Sequence, residues 1–175
     1  MSKAALARTS KRNSPQTTAR VCLPFEKTLE IRDGCLCLFV QRAARALARQ
    51  FDEAFRPVGL THGQFSLLTS LNRPHPPVMG EVAALLGMDR TTLTAALKAL
   101  VRRGLVEVRA DAEDKRSRQL ILTPAGRALL AAAYPVWKAA HRLVEAALAS
   151  PERLRADLAL LAVDAKRAPS WRDIT

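Results

Sequence analysis

LLGMDRTTLTAALKALVRRGLVEVRADAEDKRSRQLILTPAG, residues 85–126, decides the fold of this chain. It begins inside a short apolar helix, about Gly80 to Leu86, with Val82, Ala83, Leu85 and Leu86 as its apolar residues. Gly87 ends that helix, supplying the left-handed residue a tight turn needs. Asp89 caps a second helix, Arg90 to Arg103. Its inner stripe is Leu93, Ala96, Leu97, Leu100 and Val101, a spacing that keeps one helical face apolar, and Gly104 terminates it. Leu105 to Ala110 then alternates Val106 and Val108 against Glu107 and Arg109, and Gln119 to Leu122 is apolar and β-branched. Asp111 to Arg118, between them, is a polar hairpin tip longer than a two-residue turn. Thr123-Pro124, a cap followed by proline at the first helical position, starts the next helix. Helix, tight turn, helix and hairpin make a winged helix-turn-helix.

Working outward, both flanks are helical. Upstream, Leu36, Val40, Ala43, Leu47, Phe51 and Phe55 recur at three- and four-residue steps and predict a helix from about Glu30 to Phe55, capped by Asp33 and stopped by Pro57 and Gly59. Thr61 and Gln64 form a capping box for a helix over His62–Leu71, with Leu60 and Phe65 as a hydrophobic staple. Three prolines in Asn72-Arg73-Pro74-His75-Pro76-Pro77 exclude helix, and Val78 is a candidate edge strand. Downstream, Leu130, Ala133, Trp137, Ala140, Val144 and Leu148 stripe a helix from Pro124 to about Leu148, with a kink expected at Pro135. Ser150-Pro151 opens a last helix to about Lys166, lined by Leu154, Leu158 and Leu161. The expected fold is therefore mainly α with a small β-wing, a winged helix-turn-helix flanked by dimerisation helices. Residues 1–24 read as a basic arm, 25–57 as an N-terminal dimerisation helix, 58–126 as the winged domain and 127–175 as C-terminal dimerisation helices.

Composition narrows the function. The 175 residues hold 28 Lys+Arg against 16 Asp+Glu, a net charge of +12, which points to a polyanionic partner. Mean hydropathy is −0.04, and no run approaches the roughly 18 apolar residues of a membrane span. The first 20 residues are basic and acid-free and lack the apolar stretch of a secretory signal. The cysteines, Cys22, Cys35 and Cys37, are too few and too clustered for a disulfide framework, so a reduced, cytoplasmic setting is expected. The histidines, His62, His75 and His141, are scattered, and Cys35-x-Cys37 with His62 is only a weak zinc candidate. No glycine-rich phosphate loop is present, so neither an enzyme nor a metal or other cofactor is expected.

The major groove of duplex DNA is wide enough to admit a helix. The outward residues of the 90–103 helix are Arg90, Thr91, Thr92, Ala95, Lys98 and Arg102. Arg90, Thr91, Thr92 and Ala95, at its N-terminal end, are placed to read bases, while Lys98, Arg102 and Arg103 suit phosphates. Residues 90–120 carry eight bases (90, 98, 102, 103, 109, 115, 116, 118) against four acids (107, 111, 113, 114), which favours DNA over an ordinary solvated face. A non-specific architectural or RNA-binding role is the competing class, but RNA modules stack bases on exposed aromatics and aromatics are only 5% here.

These residues carry a resemblance. Val78–Gly126 resembles the MarR family of bacterial transcription regulators, most specifically in the wing, where Asp114-Lys115-Arg116-Ser117-Arg118 matches a D-x-R-x-R pattern. With the flanking helices the resemblance runs from about Gly34 to Leu161. It implies that Arg116 enters the minor groove and that Asp114 braces a wing arginine, with Lys115 and Arg118 beside them. Narrow minor grooves do attract arginine. It also implies a homodimer reading a palindromic operator with two recognition helices about 34 Å apart, and repression as the usual mode.

Such regulators often respond to a small-molecule effector or an oxidant near the joint between the dimer helices and the DNA lobe. The candidates here are Cys37, Arg42, His62, Phe65, Tyr134, Trp137 and His141. The segment from Cys37 resembles the first helix of the family's organic-peroxide sensors. It departs from them in having Phe51, His62 and Phe65 where those sensors carry tyrosines. Cys35 lies about 200° round the helix from Cys37 and cannot simply pair with it. Leu36, Leu38, Phe39 and Val40 are apolar neighbours, so burial is expected to keep the Cys37 thiol protonated. A ligand pocket is therefore the preferred sensor, and a redox-active Cys37 the alternative.

Overall fold

The structure, a computed structural model, describes residues 22–111 and 117–162. The chain divides into two compact units, residues 1–41 and 42–175, the division falling within one helix.

In the first unit, helix α1 spans Phe25–Gly34 and the opening turns of α2, Leu36–Phe55, follow. The expected single helix from Glu30 is thus two. Pro24, extended at φ −59° and ψ 146°, starts the first one early, and its carbonyl accepts from the Lys27 N–H at 3.1 Å. Gly34 is a weak helix former, and at Cys35 the backbone opens to ψ 104° before α2 begins. Asp33 therefore caps nothing. It sits inside α1, paired with Arg32 at 2.6 Å.

The second unit is built on punctuation that the sequence announces. The helix α2 gives way to a 3-10 turn, Arg56–Val58, containing Pro57, and Gly59 adopts φ 66°. Helix α3, His62–Leu71, opens on the Thr61–Gln64 box: the Gln64 N–H donates to Thr61 Oγ1 at 3.2 Å, and the Thr61 N–H donates to Gln64 Oε1 at 3.2 Å. After the proline loop, the Leu120 N–H donates to the Pro77 carbonyl at 2.9 Å and Val78 bridges Gln119. Helices α4, Met79–Leu86, and α5, Arg90–Arg102, are joined by Gly87 at φ 61°, Met88 and Asp89. Asp89 caps α5, Oδ1 accepting the Thr92 N–H at 2.7 Å. Strands β1, Val106–Ala110, and β2, Arg118–Leu122, pair antiparallel from Val106 opposite Leu122 to Ala110 opposite Arg118. Thr123 Oγ1 accepts the Gly126 N–H at 3.0 Å to start α6, Pro124–Ala146, which contains Pro135. Ser150 caps α7, Pro151–Leu161, while the expected continuation to Lys166 lies outside the described residues.

Helix α3 is the hub of this unit, packing on α4, α5, α6 and β2. Leu67, Leu68 and Leu71 from α3, Val82 from α4, Leu93, Leu97 and Leu100 from α5, and Leu105, Val106, Leu120 and Leu122 from the hairpin make the core, closed by Phe55, Leu60 and Ala133. Each fully buried leucine contributes about 1.5–3 kcal/mol by leaving water. The start of α6 fits so tightly that a Cβ at Gly126 would meet the Leu105 carbonyl oxygen and lie 2.8 Å from Leu122 Cδ1.

Gly126→Ala should therefore force apart α6 and the hairpin, at about 1–3 kcal/mol, read as a lowered melting temperature. Asp89→Ala should also lower it, and with a defined pH dependence. The Thr92 backbone N–H, then its hydroxyl, hold the Asp89 carboxyl below its ordinary value. A depressed carboxylate contributes stability above its unfolded value of about 3.9, and that contribution disappears as pH falls through the folded value. Thermal unfolding at pH 7 and pH 3 should show a gap between wild type and Asp89→Ala that narrows in acid.

Candidate nucleic-acid interface

Helix α5 presents the expected row. Arg90, Thr91, Thr92, Ala95, Lys98 and Arg102 are all exposed, because Leu93, Leu97 and Leu100 are turned into the core. Three details change their roles. Thr92 spends its hydroxyl on the cap, donating to Asp89 Oδ2 at 2.8 Å, so it is a capping residue before it is a reader. Arg103, expected at the phosphates, is engaged within the chain. It closes the C-terminal end of α5 and donates from Nη1 to the Gly59 carbonyl at 2.9 Å and to Gln64 Oε1 at 3.3 Å, tying α5 to the corner before α3. Thr94, which the sequence reading passed over, is exposed on the same side and donates its hydroxyl to the Arg90 carbonyl at 2.7 Å. Its place three residues after Thr91 was the available signal. The guanidinium of Arg90 lies over α4 at Gly80, where a Cβ would stand 4.0 Å from Nη2.

Beside this row runs a shallow groove of about 510 Å³ between α5, the start of α4 and β1, lined by Met79, Thr94, Ala95, Leu97, Lys98, Val101, Arg102 and Val108. Its far wall is the hairpin. Arg109 is held across from Glu107 at 2.8 Å, which keeps that carboxyl low and the guanidinium charged. The base of the tip is closed by the Asp111 N–H donating to the Ser117 carbonyl at 3.1 Å. Arg118 is exposed at the start of β2. Asp114, Lys115 and Arg116 lie outside the described residues.

Behind the helix-turn-helix is a cleft of about 910 Å³. It brings together Phe65, Tyr134 and Trp137 from the predicted sensor set. To these it adds Leu85, Leu86 and Leu130 on the apolar side and Ser66, Thr69, Asn72, Arg73 and Arg127 as polar groups. The aromatic rings form a run, Phe55 to Phe65 at 4.6 Å, Phe65 to Trp137 at 6.4 Å and Trp137 to Tyr134 at 5.9 Å. Arg127 donates to the Leu122 carbonyl at 2.6 Å, and Arg73 lies 3.8 Å from Glu81. Sequence reasoning missed both arginines. Arg127 was within reach, standing three and seven residues before Leu130 and Tyr134 on one helical face, whereas Arg73 belongs to the proline loop and shares no periodicity with them.

Four other candidates are not part of the cleft lining. His62 binds Asp52 instead, its backbone N–H at 2.7 Å and its Nδ1 at 2.9 Å from Oδ1, which depresses the Asp52 carboxyl. His141 packs on Trp137 at 4.9 Å and pairs with Glu145 at 3.4 Å, and Glu145 in turn holds Arg155 of α7 at 2.6 Å. Arg42 is an exposed residue of α2. Cys37, in the first unit, is exposed too, as are its neighbours Leu36, Phe39 and Val40. Burial within the chain is therefore not what governs this thiol, contrary to expectation. Among the described residues no cluster of His, Cys, Asp or Glu could hold a metal, and no helix is long and apolar enough to cross a membrane.

Comparison with known proteins agrees with this architecture. Residues 58–117 match the model of the MarR family. Over 84 residues the chain is 32% identical to YwoH of Bacillus subtilis, an uncharacterized HTH-type transcriptional regulator, covering 48% of this chain and 61% of that one. The chain spans only about half to three-fifths of the curated relatives it matches. Solved structures align over more. The Mycobacterium tuberculosis transcriptional regulator MosR, crystallised with DNA, superposes with a TM-score of 0.68 and 42% identity over 73% of this chain and 93% of that one. The transcriptional repressor CouR, bound to a 23-mer DNA duplex, gives 0.63 and 32% over 80% and 96%. With a wing, a seated recognition helix and these relatives in common, the chain belongs to the MarR family and is a winged-helix transcription regulator.

Proposed function

We propose that the protein is a cytoplasmic repressor, not an enzyme, that binds a palindromic double-stranded operator as a homodimer and is released by a small-molecule effector. The observation that carries the DNA reading is the exposed row of α5, Arg90, Thr91, Ala95, Lys98 and Arg102, set beside a hairpin that exposes Arg118. Helix α5 lies in the major groove and the wing, with Asp114, Lys115, Arg116 and Arg118, in the adjacent minor groove. The MosR and CouR structures, each with bound DNA, favour the same partner.

Dimerisation is favoured by the apolar side chains that the single chain leaves in water. In α1 and the start of α2 these are Phe25, Ile31, Leu36 and Phe39. In α6 and α7 they are Leu143, Leu154, Leu158, Leu160 and Leu161. A second copy covers such surfaces at no cost in polar groups. The 910 Å³ cleft is the effector site of choice. Its apolar wall and its arginines suit a molecule with an apolar body and an acidic group, and Leu85 and Leu86 belong to the helix just before the turn into α5.

Footprinting on the DNA beside its own gene tests the assignment. One protected palindrome is the expected result, and uniform protection would make the protein architectural. Light scattering should give twice the 19.2 kDa chain mass. Against the protected site, Arg116→Ala should cost about 1–3 kcal/mol, and Lys98→Ala should weaken all sequences alike while flattening the salt slope by ~1.

A second reading survives because Cys37 is exposed, with Cys35 two residues away. Cumene hydroperoxide added to the DNA complexes of wild type and Cys37→Ser separates the two. Release of both or of neither supports the effector cleft. Release of the wild type alone makes the thiol the sensor.

A further inference from the structure

We propose that α5 recognises thymine by its 5-methyl group, through the methyls of Thr94 and Ala95 with Val101 beside them. This rests on the reading of α5 as the DNA-facing helix and specifies what that helix reads.

The argument begins with the threonines. A threonine at a recognition helix can hydrogen-bond a base edge or touch a thymine methyl. Two of those on α5 have spent their protons within the chain, Thr92 on Asp89 Oδ2 at 2.8 Å and Thr94 on the Arg90 carbonyl at 2.7 Å. With the Thr94 hydroxyl turned back along the helix, the methyl is the group left to offer. Ala95, next to it, has nothing but a methyl. About two helical turns on from Thr94, Val101 is 42% exposed although it belongs to the expected inner stripe, and Val108 of β1 is 39% exposed across the groove. The result is an apolar strip of about 510 Å³ with Lys98 and Arg102 at its edge.

An apolar strip within a cationic surface needs an occupant that is both anionic and locally apolar. The major groove meets that description at one kind of base pair. Guanine, cytosine and adenine present donors and acceptors there, and thymine adds the C5 methyl. Lys98 and Arg102 hold the phosphates of the strand, and the strip receives the methyls. Placing Thr94 and Ala95 in adjacent positions extends the contact along the strand, so adjacent or near-adjacent thymines in each half-site fit best.

The experiment uses the full-length chain and a duplex selected from a randomised pool. The selected duplex is remade with deoxyuridine in place of thymine, which keeps every hydrogen-bonding group and removes only the methyls. Each buried methyl should account for about fourfold in affinity. The mirror-image variant is Thr94→Ser, which keeps the hydroxyl bond to Arg90 and removes only the protein's methyl. It should weaken binding to the thymine duplex and leave the uracil duplex unaffected, the signature of a coupled pair. Equal affinity for the two duplexes, or losses that simply add, would overturn the thymine assignment while leaving α5 on DNA. Failure of the pool to yield any preferred sequence would instead overturn the reading of α5 as a sequence-specific helix beneath it.

Discussion

Leu93, Leu97 and Leu100 fix α5 against α3, α4 and β1, and the rest of the molecule's surface chemistry follows from that attachment. A helix has one rotational setting that buries these three together. Once it is adopted, Thr91, Thr94, Ala95, Lys98 and Arg102 look outward without any further instruction. Polar bonds then fix the two ends of the same helix. Asp89 holds the first turn, and Arg103 holds the last to Gly59 and Gln64. Apolar burial sets the rotation of the recognition helix, and directional bonds set its pitch.

The cleft shares its walls with that seat. Leu85 and Leu86 line it, and only Gly87, Met88 and Asp89 separate them from α5. Its opposite wall, Leu130, Tyr134 and Trp137, is α6. An occupant changes DNA affinity only to the extent that it favours one arrangement of these walls over another. The two sides are not equally yielding. The α6 side is locked to the hairpin at Gly126, where there is no room for a methyl group. The α4 side is a helix of 8 residues whose end rests on a glycine turn.

Most of the fold was readable from local signals. Caps at Thr61, Asp89, Thr123 and Ser150 and the glycines at 59, 87 and 104 each act within a few residues, so the sequence states them directly. The break at Cys35 was not readable, because Gly34 keeps an ordinary negative φ and no proline marks the place. The site divides the same way. The outward face of α5 follows from periodicity, whereas the duties of Thr92, Thr94 and Arg103 depend on which oxygen lies in reach. The cleft assembles residues from α3, the proline loop, α4 and α6, and such an assembly has no period in the chain. Cys37 illustrates a different gap. Apolar neighbours in sequence predicted burial, yet along α2 Leu36, Phe39 and Val40 are exposed and only Leu38 is half-buried.

The proline loop has a bearing on how the protein survives in a crowded cell. Strand β2 has β1 on one side and the short bridge at Val78 on the other. A bare strand edge invites other chains to add to it and begin a growing sheet. Here the segment on that edge has almost no hydrogen to offer. Pro76 and Pro77 have no N–H, and the Val78 N–H is already given to Glu81 Oε2 at 3.3 Å. The same residues that deny this stretch a helix also close the β2 edge of the sheet to a further strand.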